Sequence, residues 1–441
     1  MRIKETNSAC LSLWQVVIIG IAYMTPMTVF DTFGIVSNIT EGRVPLAYLL
    51  ALAAVLLTAI SYGRMVRLHP SSGSAYTYAR KVCGNKTGFI VGWSSLLDYV
   101  FLPMINSLLA GIYLQTLLPE VPVWLSILVF TSLVTFVNCC NIKTLANANF
   151  IFVGIPVILM GVFIYFVIHN LLRDYGDSHI FTTQPLFNGH NSIIPLISGA
   201  AVLCFSFLGF DAVTTLTDET KSPVSTIPKA VFYTALSGGC IFFVAAWFIQ
   251  LYFPDNSQFK NPMEALPEIV LNVGGKLFQT LFLIAILLNT FASALASHAS
   301  AARLLHIMGK NNNLTHRFFG YLHPENKNPV YCILLIGLIS LTAIFIQLDT
   351  AVSLISFGAL VAFSAVNLSV IIHFAIIKKD NVGLKKIFHN ILLPLAGLGC
   401  VAVMWVNLSF DAFILGLTWA TLGLGWIVYC SFTKKEVAIS E

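Results

Sequence analysis

Three carboxylates sit where water does not easily reach. Asp31, Asp98 and Asp211 lie well inside long apolar runs, and no Lys or Arg does. An ionised side chain at the centre of a bilayer costs about 2.5–3.5 kcal/mol even on the insertion scale. Each therefore needs a cation, a proton, a watery cavity or hydrogen bonds from neutral neighbours. No basic partner lies at their depth in the runs. That leaves a bound cation, a carried proton, or capping by Ser, Thr and Tyr hydroxyls. Tyr23, Tyr99, Phe205, Phe207 and Phe210 fall at similar depth. Rings of this kind hold an ammonium by cation–π attraction worth about 0.5–2 kcal/mol, although packing is the default role of any single aromatic. His298 and His373 could carry protons, but a buried histidine more often simply hydrogen-bonds a neighbour. The nine cysteines form no C-x-x-C and read as buried free thiols rather than a metal or disulfide site.

The elements that must position these groups are membrane helices. Of 441 residues, 57% are hydrophobic and only 10% charged, with a mean hydropathy of +0.84. Soluble domains carry about 25% charge. At about 20 residues per crossing, the apolar share suffices for roughly twelve crossings. This composition excludes a soluble enzyme, a disordered chain, a nucleic-acid binder and a secreted disulfide scaffold. The expected partner of the surface is the lipid bilayer.

Twelve apolar segments can be marked, at 12–36, 44–66, 87–118, 122–140, 145–169, 193–215, 229–253, 274–302, 329–347, 350–377, 388–408 and 411–432. The longest loops between them are 67–86, 170–192, 254–273 and 303–328. The first segment is too long for a signal core and lacks a cleavage pattern, so it reads as a retained helix. With the N-terminus in the cytoplasm, twenty Lys and Arg fall inside. Only Arg43, Arg173, Lys260 and Lys276 fall outside, and the two sets account for all 24. That bias satisfies the positive-inside rule and predicts cytoplasmic termini in a cell membrane.

Two segments read as broken. The first holds Gly20-Ile-Ala-Tyr-Met-Thr-Pro26, and proline removes a helical donor and clashes with the preceding turn. The sixth holds Gly209 at its middle. Breaks five helices apart are the mark of an inverted-repeat transporter, with its site where backbone is unwound at mid-membrane. A rise of 1.5 Å per residue from Lys86 puts Asp98 about 18 Å up, near the midplane. Asp31 then lies in the outer half and Asp211 in the inner half, and the three outline a cation route.

The residues of the sixth segment carry a resemblance. Phe205-Ser-Phe-Leu-Gly-Phe-Asp211, then Glu219-Thr-Lys-Ser-Pro223 and Ile227-Pro228-Lys-Ala230, resemble the amino acid–polyamine–organocation permeases. Their sixth helix reads F-x-G-[FYV]-[ED], followed by E-x-x-N-P-x-x-x-[IV]-P-x-A; Ser222 replaces the Asn. Pro70-Ser-Ser-Gly73-Ser-Ala-Tyr76-Thr-Tyr78 resembles the family's P-x-x-G-x-x-Y-x-Y loop. Met24–Val36 and Leu97–Asn106 look most like the bacterial putrescine importers. The resemblance covers about residues 8–432. It implies an all-α polytopic membrane protein of twelve helices with a LeuT-like 5+5 inverted repeat. The repeats are 12–169 and 193–377, followed by two helices at 388–432, within one domain spanning 1–441. It also implies proton-coupled uptake, with Na⁺ the alternative ion, and no other cofactor.

In amino acid carriers of the family, a G-[SA]-G stretch in helix 1 supplies N–H groups to the substrate carboxylate. Here Thr25-Pro26-Met27-Thr28 replaces it, so an amine without a carboxylate fits better. Phe205 stands where relatives have an aromatic lid. Ala292 stands where some have a second aromatic, and Pro156 where some have a proton-carrying Lys. The expected substrate lining is Tyr23, Thr25, Pro26, Met27, Asp98, Tyr99, Phe205, Ser206 and Gly209. Asp31 and Asp211 are expected to serve gating or proton coupling. The leading expectation is a secondary importer of a small organic cation such as putrescine. An amino acid permease of the same fold is the alternative. A channel or intramembrane enzyme is the outlier, since no nucleophile–base pair or H-E-x-x-H is present.

Overall fold

The computed structural model describes residues 11–139, 142–175, 182–187, 189, 192–254, 265–324, 328–346, 348–380 and 382–432. The chain ends, whose cytoplasmic placement the charge bias predicts, lie outside these residues, as do Lys260 and Lys327 of the charge count. The described residues are built from helices. In order they are α1 (Leu13–Met24), α2 (Thr28–Thr40), α3 (Val44–Leu68), α4 (Ser74–Cys83), α5 (Asn85–Leu117), α6 (Val123–Cys139), α7 (Ile142–Tyr175) and α8 (Ile194–Leu203). Then follow α9 (Pro223–Tyr252), α10 (Ala265–Lys310), α11 (His316–Phe319), α12 (Val330–Ser340), α13 (Leu348–Ile371), α14 (Leu384–Ile387), α15 (Leu393–Val406) and α16 (Phe410–Phe432).

Among the described residues, nine spans are long and apolar enough to cross a membrane, and α1 with α2 forms a tenth, bent by 48°. Two shorter apolar helices, Val123–Cys139 and Val330–Ile344, match the fourth and ninth segments of the sequence. One expectation needs correction. The stretch 67–86 is not a plain loop, because its middle forms α4. Its residues are too polar to register as a membrane segment, yet every residue from Ser74 to Ala79 is buried.

The packing has an exchange symmetry. α3 lies along α9, and α5 lies along α10. The contact of α5 with α13 is mirrored by that of α10 with α7, and the contact of α1 with α9 by that of α3 with α8. This is the pattern of a 5+5 inverted repeat in which the two broken helices cross at the centre. The last two helices stay at the edge. α16 is held to α5 by a reciprocal clasp. Trp93 Nε1 donates to the Trp419 carbonyl at 2.9 Å and Trp419 Nε1 to the Trp93 carbonyl at 2.7 Å, with the rings stacked 4.7 Å apart.

Long-range polar contacts near the span ends join segments expected on the same face. Arg43 Nη2 donates to the Ser192 carbonyl, and Asn170 Nδ2 to the Val273 carbonyl, at the expected outer face. At the other face Leu11 meets Glu219, Ser72 meets Asp218, and Asn313 meets Tyr76. We expect cysteine at exposed Glu120 to react with an impermeant thiol reagent added outside intact cells. Cysteine at exposed Arg317 should react only after the membrane is opened. The opposite pattern would invert the orientation.

Candidate functional site

The breaks are made locally, by one residue each. Pro26 has no N–H for the Ala22 carbonyl, so the Thr25 N–H turns to it at 3.3 Å instead. Thr25 is left in a left-handed conformation, at φ 55°. The Tyr23 carbonyl, freed at the end of α1, accepts from Ser293 Oγ at 3.0 Å and from Thr25 Oγ1 at 3.3 Å. In the sixth span, α8 tightens into a 3₁₀ turn at Cys204–Phe207 and then stops. Leu208 (φ −57°, ψ 132°) and Gly209 (φ 108°) form a type II turn, closed by the Phe210 N–H on the Phe207 carbonyl at 3.3 Å. That turn needs positive φ at its third residue, which glycine adopts without strain. A Cβ on Gly209 would also overlap the Tyr23 ring. The two breaks thus touch through Gly209 and Tyr23.

Around this contact the carboxylates gather. Asp211 is buried, and its Oδ2 accepts from the Tyr99 hydroxyl at 3.0 Å and the Tyr62 hydroxyl at 3.3 Å. The Tyr99 hydroxyl also shares a 3.2 Å hydrogen bond with Ser74 Oγ of α4. Asp98 is buried too, close enough to Asp211 for each charge to act on the other. The Tyr23 hydroxyl lies within electrostatic reach of both. Among the described residues, Asp98 Oδ1, Asp211 Oδ1 and the Tyr23 hydroxyl are buried here without a hydrogen-bond partner. Nearby backbone closes the wall, since a Cβ on Gly358 of α13 would fall 2.6 Å from the Asp98 amide nitrogen. Two like charges at short range repel, and an ammonium beside them would offset that repulsion.

Asp98 and Asp211 are brought together beside Tyr99, and Asp31 has a partner of its own. Asp31, half-buried on α2, accepts from the Tyr113 hydroxyl at 2.8 Å. Beside it Thr32 Oγ1 and Tyr48 hydroxyl are 3.2 Å apart, and Tyr48 reaches Ser206 Oγ at 3.5 Å. Of the expected lining, Tyr23, Pro26, Met27, Tyr99, Ser206 and Gly209 are buried, while Thr25 and Phe205 are half-buried. Phe207 and Phe210 are packing residues, against Phe242 and Phe363 respectively. His298 is also structural, with Nε2 2.8 Å from the Ile333 carbonyl. Among the described residues, no group of three His, Cys, Asp or Glu could hold a metal ion.

Sequence reading missed Tyr62, Ser74 and Tyr113, the neutral groups that meet the carboxylates. Ser74 lay inside the P-x-x-G-x-x-Y-x-Y motif, which was the available signal. Tyr62 and Tyr113 carried none beyond being polar-tipped residues in apolar spans.

At one face the first span is tied to the sixth. The Leu11 N–H donates to the Glu219 carbonyl and the Lys221 N–H to the Leu11 carbonyl, each at 3.0 Å. Glu219 is also bound bidentately by Arg303 of α10, at 2.8 and 3.2 Å. The start of the first span is so tied to the end of the sixth. Breaking the ion pair with Glu219→Gln should raise reagent access to a cysteine at Thr25 from this face severalfold. Unchanged access would place the seal elsewhere.

Broken helices meeting at a polar, buried centre are the arrangement of the LeuT-like transporter fold. The amino acid permease family model matches residues 15–429, and the chain belongs to that family. It is 48% identical over 426 residues, 97% of this chain and 94% of the relative, to the low-affinity putrescine importer PlaP of Escherichia coli (strain K12). It is 22% identical to the branched-chain amino acid permease BcaP of Bacillus subtilis (strain 168), over 98% of this chain and 94% of that one. A solved Na⁺-coupled sialic acid symporter, substrate-bound and outward-open, superposes with a TM-score of 0.59 at 15% identity, covering 90% of this chain and 91% of the other. Family and relatives are transporters, and the chain is an integral membrane protein.

Proposed function

We propose that the chain imports a small organic cation, putrescine or a related polyamine, by alternating access. The observation that carries this reading is the buried Asp98–Asp211 pair, with no Lys or Arg well inside the apolar spans to neutralise it. An ammonium would take the unpartnered oxygens, with Asp98 as main counter-ion. Tyr23, Tyr99 and Phe205 supply ring faces and Ser206 a hydroxyl. Thr25, Pro26, Met27 and Gly209 supply the unwound walls. The 48% identical relative, itself named a putrescine importer, supports the same substrate class. Asp31 and Asp211 serve the gates or carry the proton, with H⁺ as driving ion and Na⁺ as the alternative. Part of this reading is a topology of twelve crossings with both termini cytoplasmic. Its repeats are 12–169 and 193–377, closed by helices within 388–432.

An amino acid substrate is the second reading, favoured by the match to the branched-chain amino acid permease. Against it, Pro26 takes away one N–H that a carboxylate would use at the break. Uptake of labelled putrescine into proteoliposomes, with pH and Na⁺ gradients imposed separately, tests the proposal. Saturable uptake driven by the pH gradient, competed by diamines and not by leucine, is expected. Competition by leucine alone would replace the diamine with an amino acid.

A further inference from the structure

A second cluster of charge lies away from the transport site, where α13 ends. α13 runs into a π-helical turn at Ile372–Ile377, and a matching turn at Phe388–Leu392 leads into α15. Between them Lys378, Lys379, Lys385 and Lys386 are exposed. Arg64 and exposed Arg67 at the end of α3 and Lys81 at the end of α4 converge on the same place. Arg64 lies over the Phe374 ring at 4.2 Å and donates to the His389 carbonyl and Asn390 Oδ1, which holds the α3 end against this connection. Lys378 lies 5.8 Å from the centre of the same ring. The His69 and His373 rings are 6.0 Å apart, and His69 feels the charges of Lys81 and Lys378. Within the connection, half-buried Asp380 is the acidic residue, and it is bound to Lys386 at 2.6 Å.

The positive-inside bias explains lysines on this face. It does not explain why three separate elements bring them to one patch, where they repel one another. Beside the patch the surface turns apolar at once. Ile376 and Ile377 precede Lys378, Leu384 precedes Lys385, and Phe388 and Leu392 follow Lys386, all exposed. Cations bordered by lipid-facing hydrocarbon match a molecule with a phosphate head and acyl tails. We propose that this patch binds the headgroup of an anionic phospholipid in the leaflet at the ends of α3 and α13. The acyl chains lie along Ile376, Phe388 and Leu392, and the phosphate is shared by the lysines. The patch is coupled to the carrier through α13, whose Phe363 packs on Tyr62 and Phe210 of the transport site.

The test equilibrates the full chain with vesicles of equal parts phosphatidylglycerol and phosphatidylcholine and counts retained lipid by native mass spectrometry. We expect phosphatidylglycerol to be retained at least tenfold over phosphatidylcholine. Replacing Lys378, Lys379, Lys385 and Lys386 by Gln should bring that ratio close to one. A control replacing Lys86, Lys229, Lys310 and Arg317 by Gln should keep it. If the first variant does not fold, Arg67→Gln with Lys81→Gln serves, with a drop of several-fold expected. Equal loss in the control would mean general surface attraction and would overturn the assignment. Displacement of the lipid by millimolar inorganic phosphate would also overturn it, making the patch a free-phosphate site.

Discussion

Asp98→Asn is expected to lower putrescine binding about a hundredfold or more while leaving insertion and folding intact. Asp98 and Asp211 are both buried, but they are not equally provided for. Asp211 Oδ2 takes two tyrosine hydrogen bonds, whereas Asp98 Oδ1 takes none and lies beside a second negative charge. An ammonium bound there would be the main source of compensation for Asp98. Truncating one partner of a desolvated charge pair costs about 2–5 kcal/mol, and each 1.4 kcal/mol is a decade in affinity. Asparagine keeps the size of the side chain, and a neutral amide is cheaper to bury than an ion. Asp31→Asn and Asp211→Asn should cost less in binding and more in turnover. Calorimetric binding of putrescine, read directly and not through uptake, separates the two effects. Equal affinity in wild type and Asp98→Asn would return Asp98 to a structural role.

Gly209→Ala is expected to cut uptake at least tenfold, and Gly275→Ala to leave it near wild type. The pair separates two causes that a single glycine substitution confounds. Both glycines hold positive φ, at 108° and 75°, so alanine is strained at both by about 1–2 kcal/mol. At Gly275, the kink near the start of α10, an added Cβ meets nothing within 4 Å. At Gly209 it would run into the Tyr23 ring, the contact through which the two broken helices meet. Alanine there must push apart the walls of the site as well as bear the backbone strain. Uptake per inserted molecule measures the difference. Equal losses in the two variants would assign the effect to strain alone and remove the steric argument.

The breaks were legible because proline and glycine act on their own backbone. Pro26 and Gly209 disrupt a helix whatever packs around them. Span positions were legible for the same reason, since hydrocarbon thickness is written into local composition. What surrounds each carboxylate was not. Fourteen tyrosines are present, and nothing in sequence says that Tyr62, Tyr99 and Tyr113 are the ones that donate to Asp211 and Asp31. Those pairings span 82 to 149 residues and exist only once helices cross. The meeting of Asp98 with Asp211 is of the same kind. α4 escaped notice because its buried first half, Ser74–Ala79, mixes polar and apolar residues and carries no apolar run, although its motif residue Ser74 reaches the site.

The Trp93–Trp419 clasp gives the molecule a built-in optical gauge. Trp93 stands five residues before Asp98 on the same helix, while Trp419 belongs to the edge helix α16. Two indoles 4.7 Å apart and 11° from parallel couple their excited states, and that coupling depends steeply on spacing and angle. A rocking of α5 against α16 is thereby written into the near-ultraviolet dichroism of the native protein, and a label-free spectrum distinguishes a carrier whose α5 stays fixed from one whose α5 travels with its cargo.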